Sequence, residues 1–127
     1  MTGFPGSYTI IWALIILILS VLPTSDPGDI GSIPNIDKLA HIFFYATLAY
    51  MVSRDFRYNQ NKPKQLLKYF PQVLLYTLAY GIFIEFVQLL LPYRSFEFMD
   101  ILANAIGASC GLVIFFLFYH RRIAENK

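Results

Sequence analysis

The sequence predicts an all-α membrane protein, a bundle of four transmembrane helices with both termini cytoplasmic and short extracytoplasmic loops. Three observations carry that expectation. Hydrophobic residues make up 57% of the 127 residues and charged residues only 14%, whereas a soluble domain carries about a quarter. The apolar residues are gathered in long blocks, as membrane spans require. The basic residues collect between alternate blocks instead of spreading over a surface. A chain of this length is a single domain, residues 1–127. Its formal charge of +2 is too small to indicate nucleic-acid binding. Cys110 is alone, so it permits no intrachain disulfide, and its place in an apolar run predicts a small buried packing residue.

Crossing a bilayer takes about 20 residues at 1.5 Å each. The first span, about residues 8–23, has no basic residue before it and no small-residue cleavage site after it, so it reads as an anchor and not a signal peptide. The second, about 36–53, is marginal in hydropathy because of Asp37, Lys38 and His41. The third, about 71–91, opens on Pro71, which suits a first helical turn, and stops at Pro92. The fourth, about 99–119, follows Ser95, which it or a neighbour can use as a cap, and has Glu97 and Asp100 at the positive end of its dipole.

The connections decide the marginal second span. Residues 23–35 contain no Lys or Arg, and residues 54–70 contain Arg54, Arg57, Lys62, Lys64 and Lys68. Residues 92–98 contain only Arg94, and the tail contains Arg121, Arg122 and Lys127. Basic residues mark cytoplasmic loops, so the order is out, in, out, in. That alternation requires the second segment to cross.

Topology then places the polar residues. His41 lies five residues inside the outer end of its span, Glu85 six and Asn104 five, so each sits about 8–9 Å below the outer boundary at 1.5 Å per residue. The inner halves of these spans hold little more polar than Tyr and Thr. The faces agree as well. Asp37, His41 and Tyr45 fall on one stripe, as do Thr77, Gly81, Glu85, Gln88 and Pro92 on a second, and Asp100, Asn104, Gly107 and Gly111 on a third. Gly81 and the GxxxG pair Gly107/Gly111 allow close helix packing, and the pair predicts a centrally packed fourth helix with a peripheral first. Hydrogen-bonding glue between helices would account for Gln88 and Asn104. It does not need carboxylates, each of which costs at least about 2.5–3.5 kcal/mol at membrane depth. Lys38 and Arg94 either snorkel to headgroups or hold a phosphate or carboxylate over the pocket.

The pattern D37-K38-x-x-H41-x-x-x-Y45, followed by E85-x-x-Q88-x-x-x-P92-x-R94-x-x-x-x-x-D100-x-x-x-N104-x-x-G107-x-x-x-G111, resembles the VanZ-like family. These are small bacterial membrane proteins named for an accessory gene of teicoplanin resistance. The resemblance runs from residue 37 to 111 and marks those motif positions as the family's signature. It implies residence in the bacterial cytoplasmic membrane and a role in the cell envelope.

Two functions fit the residues. The first is an envelope-modulating binder whose outer-leaflet pocket holds a lipid headgroup, a lipid-linked cell-wall intermediate or a lipoglycopeptide. Lys38 and Arg94 would supply cationic contacts, with Asp37, Tyr45, Gln88 and Asn104 completing the lining. The second is a small intramembrane enzyme acting on a lipid phosphate or ester. There His41, Glu85 and Asp100 would be the acid–base groups and Arg94 the stabiliser of negative charge. The sequence carries no recognised nucleophile motif. His41, Glu85, Asp100 and Asp37 offer one nitrogen and several oxygens, but no pair has the tight spacing of a known zinc motif. No metal and no cofactor are therefore assigned. Oligomeric state does not follow from the sequence.

Overall fold

The computed structural model describes residues 6–23, 35–58 and 66–125, and these form four helices: α1 (Ser7–Val21), α2 (Ile36–Tyr58), α3 (Leu66–Leu89) and α4 (Phe98–Glu125). Gly6 precedes α1 with a φ of 96°, a left-handed conformation that glycine adopts without steric cost. Its carbonyl accepts the first helical bond, from Ile10 N. Asn35, also left-handed, starts α2 in the same way through Leu39 N.

Several boundaries differ from the sequence expectation, each for a physical reason. Pro71 lies inside α3 and not in its first turn. Its missing N–H costs one bond near the helix start, which a helix docked on two neighbours can absorb. Much of the supposed loop 54–70 is helical, because Arg54, Arg57 and Lys68 ride on the ends of α2 and α3. Charged residues at helix ends outside an apolar zone do not end a helix. At the other end of α3, Leu90 N and Leu91 N make tight i→i−3 bonds to Val87 and Gln88, and Pro92 closes the turn. Most of the 23–35 loop, with Lys62, Lys64 and Lys127, lies outside the described residues.

The helices run up and down in order, so α2 and α4 are parallel. Gly107 lies against the backbone of Ile42 and Gly111 against that of Ala46, which keeps the register over a full turn. A Cβ on Gly107 would sit 2.9 Å from Ile42 Cα, and one on Gly111 2.8 Å from the Ala46 carbonyl carbon. Small residues thus bring the two backbones into contact. This α2–α4 pair is the closest in the bundle, but it is α2 and α3, not α4, that each pack on all three others. Two apolar clusters complete the core. Ile16, Tyr45, Leu48 and Ile84 join α1 to α2 and α3, and Ala49, Val73, Ala108 and Leu112 join α2, α3 and α4.

The stretches Lys68–Leu89 and Phe98–Arg121 are long and apolar enough to cross a membrane. Only 28% and 39% of their most apolar windows are buried within the bundle. Leu75, Phe86, Leu90, Val113 and Phe118 are all exposed, an amount of apolar surface that the core helix of a water-soluble protein would not show. α1 is apolar but has 15 residues, or about 22 Å against a hydrocarbon core of about 30 Å. Cys110, expected to be buried, is exposed on the outer face of α4. It falls between Gly107 and Gly111 in sequence, but those two lie against the α2 backbone whereas Cys110 is on the exposed side of the helix.

The two ends of the bundle differ in charge. At one end Arg57 stacks over Tyr119, 4.4 Å from the ring centre, and Arg54 lies over Tyr8. Thr9 hydrogen-bonds Asp55 at this same end. At the other end, the start of α2, the end of α3 and the start of α4 meet.

Candidate functional site

Where those three helix ends meet, the polar residues form two connected groups. The outer one surrounds Lys38, whose Nζ lies 2.7 Å from Asp37 Oδ2, 2.5 Å from Glu97 Oε2 and 2.9 Å from Asp100 Oδ1. The Asp37 and Glu97 side chains are about half exposed, whereas that of Asp100 is 10% exposed, so the group forms the mouth of the site. Sequence reasoning placed Glu97 only as a helix-dipole residue. Its spacing three before Asp100 is the available signal, since Glu97 immediately precedes α4 and Asp100 lies in its first turn.

The inner group begins at the second oxygen of Asp100. Asp100 Oδ2 is 3.6 Å from His41 Nε2, and His41 Nδ1 is 2.9 Å from Asn104 Oδ1. An amide oxygen can only accept, so Nδ1 carries the proton and donates it to Asn104. The imidazole lies parallel to the ring of Tyr45, with centroids 6.3 Å apart. Gly81 opens room for this arrangement: a Cβ there would fall 2.8 Å from Asn104 Nδ2 and 3.1 Å from the Tyr45 ring. Glu85 is completely buried behind His41. Its Oε2 accepts a hydrogen bond from the backbone N–H of Glu97 at 3.3 Å, whereas its Oε1 has no partner among the described residues. Ligand atoms of His41, Glu85 and Asp100 lie within 4.8 Å of one another.

Two residues expected at the pocket point elsewhere. Arg94 Nη2 donates to the carbonyl of Leu22 at 2.9 Å, and Gln88 Nε2 donates to that of Ser20 at 3.1 Å. Tyr93 Oη adds a bond to Val21 O at 2.7 Å. The last carbonyls of a helix have no partner within it, so these three side chains cap the end of α1. Further along, Trp12 Nε1 donates to Phe44 O and Tyr80 Oη to Ala13 O. α1 carries no polar motif of its own, and nothing in its sequence announces that α3 and the following turn supply its partners. Arg94→Ala is accordingly expected to lower the unfolding free energy in detergent by about 1–2 kcal/mol, the usual cost of an orphaned hydrogen-bonding group. Proteolysis should then cut first near the end of α1. An Arg94 variant of unchanged stability would put the guanidinium back over the pocket.

A small helical bundle with two membrane-length apolar helices and a charged, half-buried cluster at one end defines the class. The sequence profile of the VanZ/LLP1 family matches residues 6–119, and the chain belongs to that family. The match includes α1. The chain is similar to an uncharacterized protein of Schizosaccharomyces pombe, at 32% identity over 95 residues, covering 75% of this chain and 56% of that relative. It thus spans little more than half the length of the curated relative it matches. No solved structure matches.

Proposed function

We propose that this VanZ-like chain crosses the cytoplasmic membrane four times, both termini inside, and engages a lipid headgroup from the outer leaflet. The candidates are a membrane lipid, a lipid-linked envelope intermediate or a lipoglycopeptide such as teicoplanin. The observation that carries the reading is the burial gradient of one charged cluster, from half-exposed Asp37 and Glu97 to fully buried Glu85, at the end of a bundle with an apolar outer surface. Four such carboxyl groups are costly near a bilayer unless they are used. Their position opposite the Arg-bearing end supports an outward-facing mouth.

The arrangement changes which part of a headgroup is read. Lys38 is held by three carboxyl groups and Arg94 caps α1, so neither is poised to bind a phosphate directly. A site of four carboxyl groups, three of them around its single ammonium, favours amine and hydroxyl groups, which aminophospholipids, sugar-bearing lipids and glycopeptides all carry. A relative in a fungus favours a general lipid headgroup over an antibiotic as the shared ligand.

A second reading is catalysis at that headgroup, favoured by His41 being held between Asn104 and Asp100. No Ser, Thr or Cys side chain among the described residues joins the cluster, so water would be the nucleophile and His41 Nε2 the group that takes its proton. Expression of His41→Ala and Glu85→Gln beside the wild type, with lipid mass spectrometry and teicoplanin sensitivity as readouts, tests both. Each variant is expected to weaken engagement about tenfold or more, the value of a charge-assisted hydrogen bond. A modified lipid that disappears in both variants indicates catalysis. Unchanged lipids with altered sensitivity indicate binding. If both variants insert normally and match the wild type in both readouts, the proposal fails.

A further inference from the structure

We infer that His41, Glu85 and Asp100 bind one divalent transition-metal ion of the zinc or manganese class. A nitrogen and two carboxyl groups form a donor set used by both ions. Ligand atoms from the three residues lie within 4.8 Å of one another. Bonds of about 2.0–2.2 Å would draw them together by about an ångström, within reach of small rotations of the side chains.

The surroundings of each ligand support the assignment independently of the clustering. Every ligand has one polar atom anchored and another left over. His41 Nδ1 is anchored by Asn104, leaving Nε2 as a lone-pair donor. Glu85 Oε2 is anchored by the Glu97 amide, leaving Oε1 with no partner among the described residues in a side chain that is completely buried. Asp100 Oδ1 is anchored by Lys38, leaving Oδ2 facing His41 Nε2 at 3.6 Å. Metal-bound histidines ordinarily donate their other ring N–H to an oxygen, and ligating carboxylates are themselves hydrogen-bonded.

The contrast with the neighbouring trio sharpens the point. Asp37, Glu97 and Asp100 also lie within ligand distance of one another, and there the positive charge is supplied by Lys38. In the inner trio Lys38 reaches only Asp100 Oδ1, and among the described residues no lysine or arginine is paired with Glu85 Oε1 or Asp100 Oδ2. With Nδ1 protonated, a lone pair on Nε2 faces a carboxylate oxygen, and a second carboxylate oxygen lies buried beside them. A cation at their common point resolves all three. It would also give a headgroup phosphate the positive contact that Lys38 and Arg94 do not offer.

Metal binding is read without any lipid, so its outcome is separate from the headgroup proposal. The full chain, purified in detergent and stripped with EDTA, is titrated with zinc and, separately, manganese. Bound metal is measured by mass spectrometry of the element and stability by thermal unfolding. The wild type is expected to take up one ion per chain of at least one of the two and to unfold at a higher temperature with it. His41→Ala and Glu85→Gln should lose stoichiometric binding. Asn104→Ala, which removes only the anchor of His41, should weaken it by about 10–100-fold. Asp55→Asn, at the opposite end of the bundle, should bind as the wild type does. The wild-type titration decides the matter even where a variant fails to fold. Uptake of neither ion by the wild type, or equal affinity in the folded His41 and Glu85 variants, overturns the inference.

Discussion

Valine at Gly107 or Gly111 is expected to separate α2 from α4 and destabilise the whole bundle. At both positions the added Cβ would meet main chain, with the Ile42 and Ala46 carbonyl groups directly in its path. Backbone cannot rotate away as a side chain can, so the helices themselves must move. Overpacking a close interface costs about 1–3 kcal/mol and sometimes more. Here the displacement also breaks the Lys38–Asp100 and His41–Asn104 contacts, which bridge the same two helices. The double variant should lose most folded material in a detergent unfolding series, whereas Cys110→Val, on the exposed face between them, should unfold like the wild type. Equal stability of the glycine variants and the Cys110 control would mean that α2 and α4 do not meet along this seam.

Asp100→Asn is expected to abolish function while leaving the fold in place. The Asp100 side chain reaches both groups of the site, with Oδ1 at Lys38 and Oδ2 at His41. Asparagine keeps the volume and one acceptor but removes the charge that both partners face. Lys38 retains Asp37 and Glu97, so the mouth stays paired and the helix start is undisturbed. Loss of two charge-assisted contacts, each about 1.5–3 kcal/mol, should reduce headgroup engagement about a hundredfold or more. Size-exclusion and circular-dichroism profiles should match the wild type. Asp37→Asn makes the useful comparison, because its side chain is 54% exposed and exposed ion pairs contribute little, about 0–1 kcal/mol. Should the Asp37 variant lose function and the Asp100 variant keep it, the working part of the site would be the mouth and not the His41 group.

The site was legible in the sequence wherever helical geometry alone decides position. Residues four apart share a face, so Asp37, His41 and Tyr45 had to lie on one stripe, and Asp100, Asn104 and the two glycines on another. Counting residues inward from each span end put His41, Glu85 and Asn104 at one depth, and the bundle brings all three together. The glycine spacing likewise foretold a close approach, although not that its partner would be α2. What stayed hidden depends on side-chain choice among rival partners. Arg94 and Gln88 had carboxyl groups within plausible reach, yet they serve the bare carbonyls of α1, whose own sequence is featureless. Glu97 resembled a dipole residue until the position of Lys38 was known. Pro71 gave a correct helix signal at the wrong position, because tertiary packing carried the helix one turn further back.

The proposed topology puts the polar site at the outer face of a chain that crosses the membrane four times. Ser95 is exposed in the turn between α3 and α4, beside the mouth of the site. In a Cys110→Ser background, Ser95→Cys places a single thiol there. Labelling by a membrane-impermeant maleimide in intact cells is the predicted result, with no further gain after the cytoplasm is opened. Labelling that requires access from the cytoplasm would turn the bundle over, place the cluster in the inner leaflet, and rule out an outward-facing site.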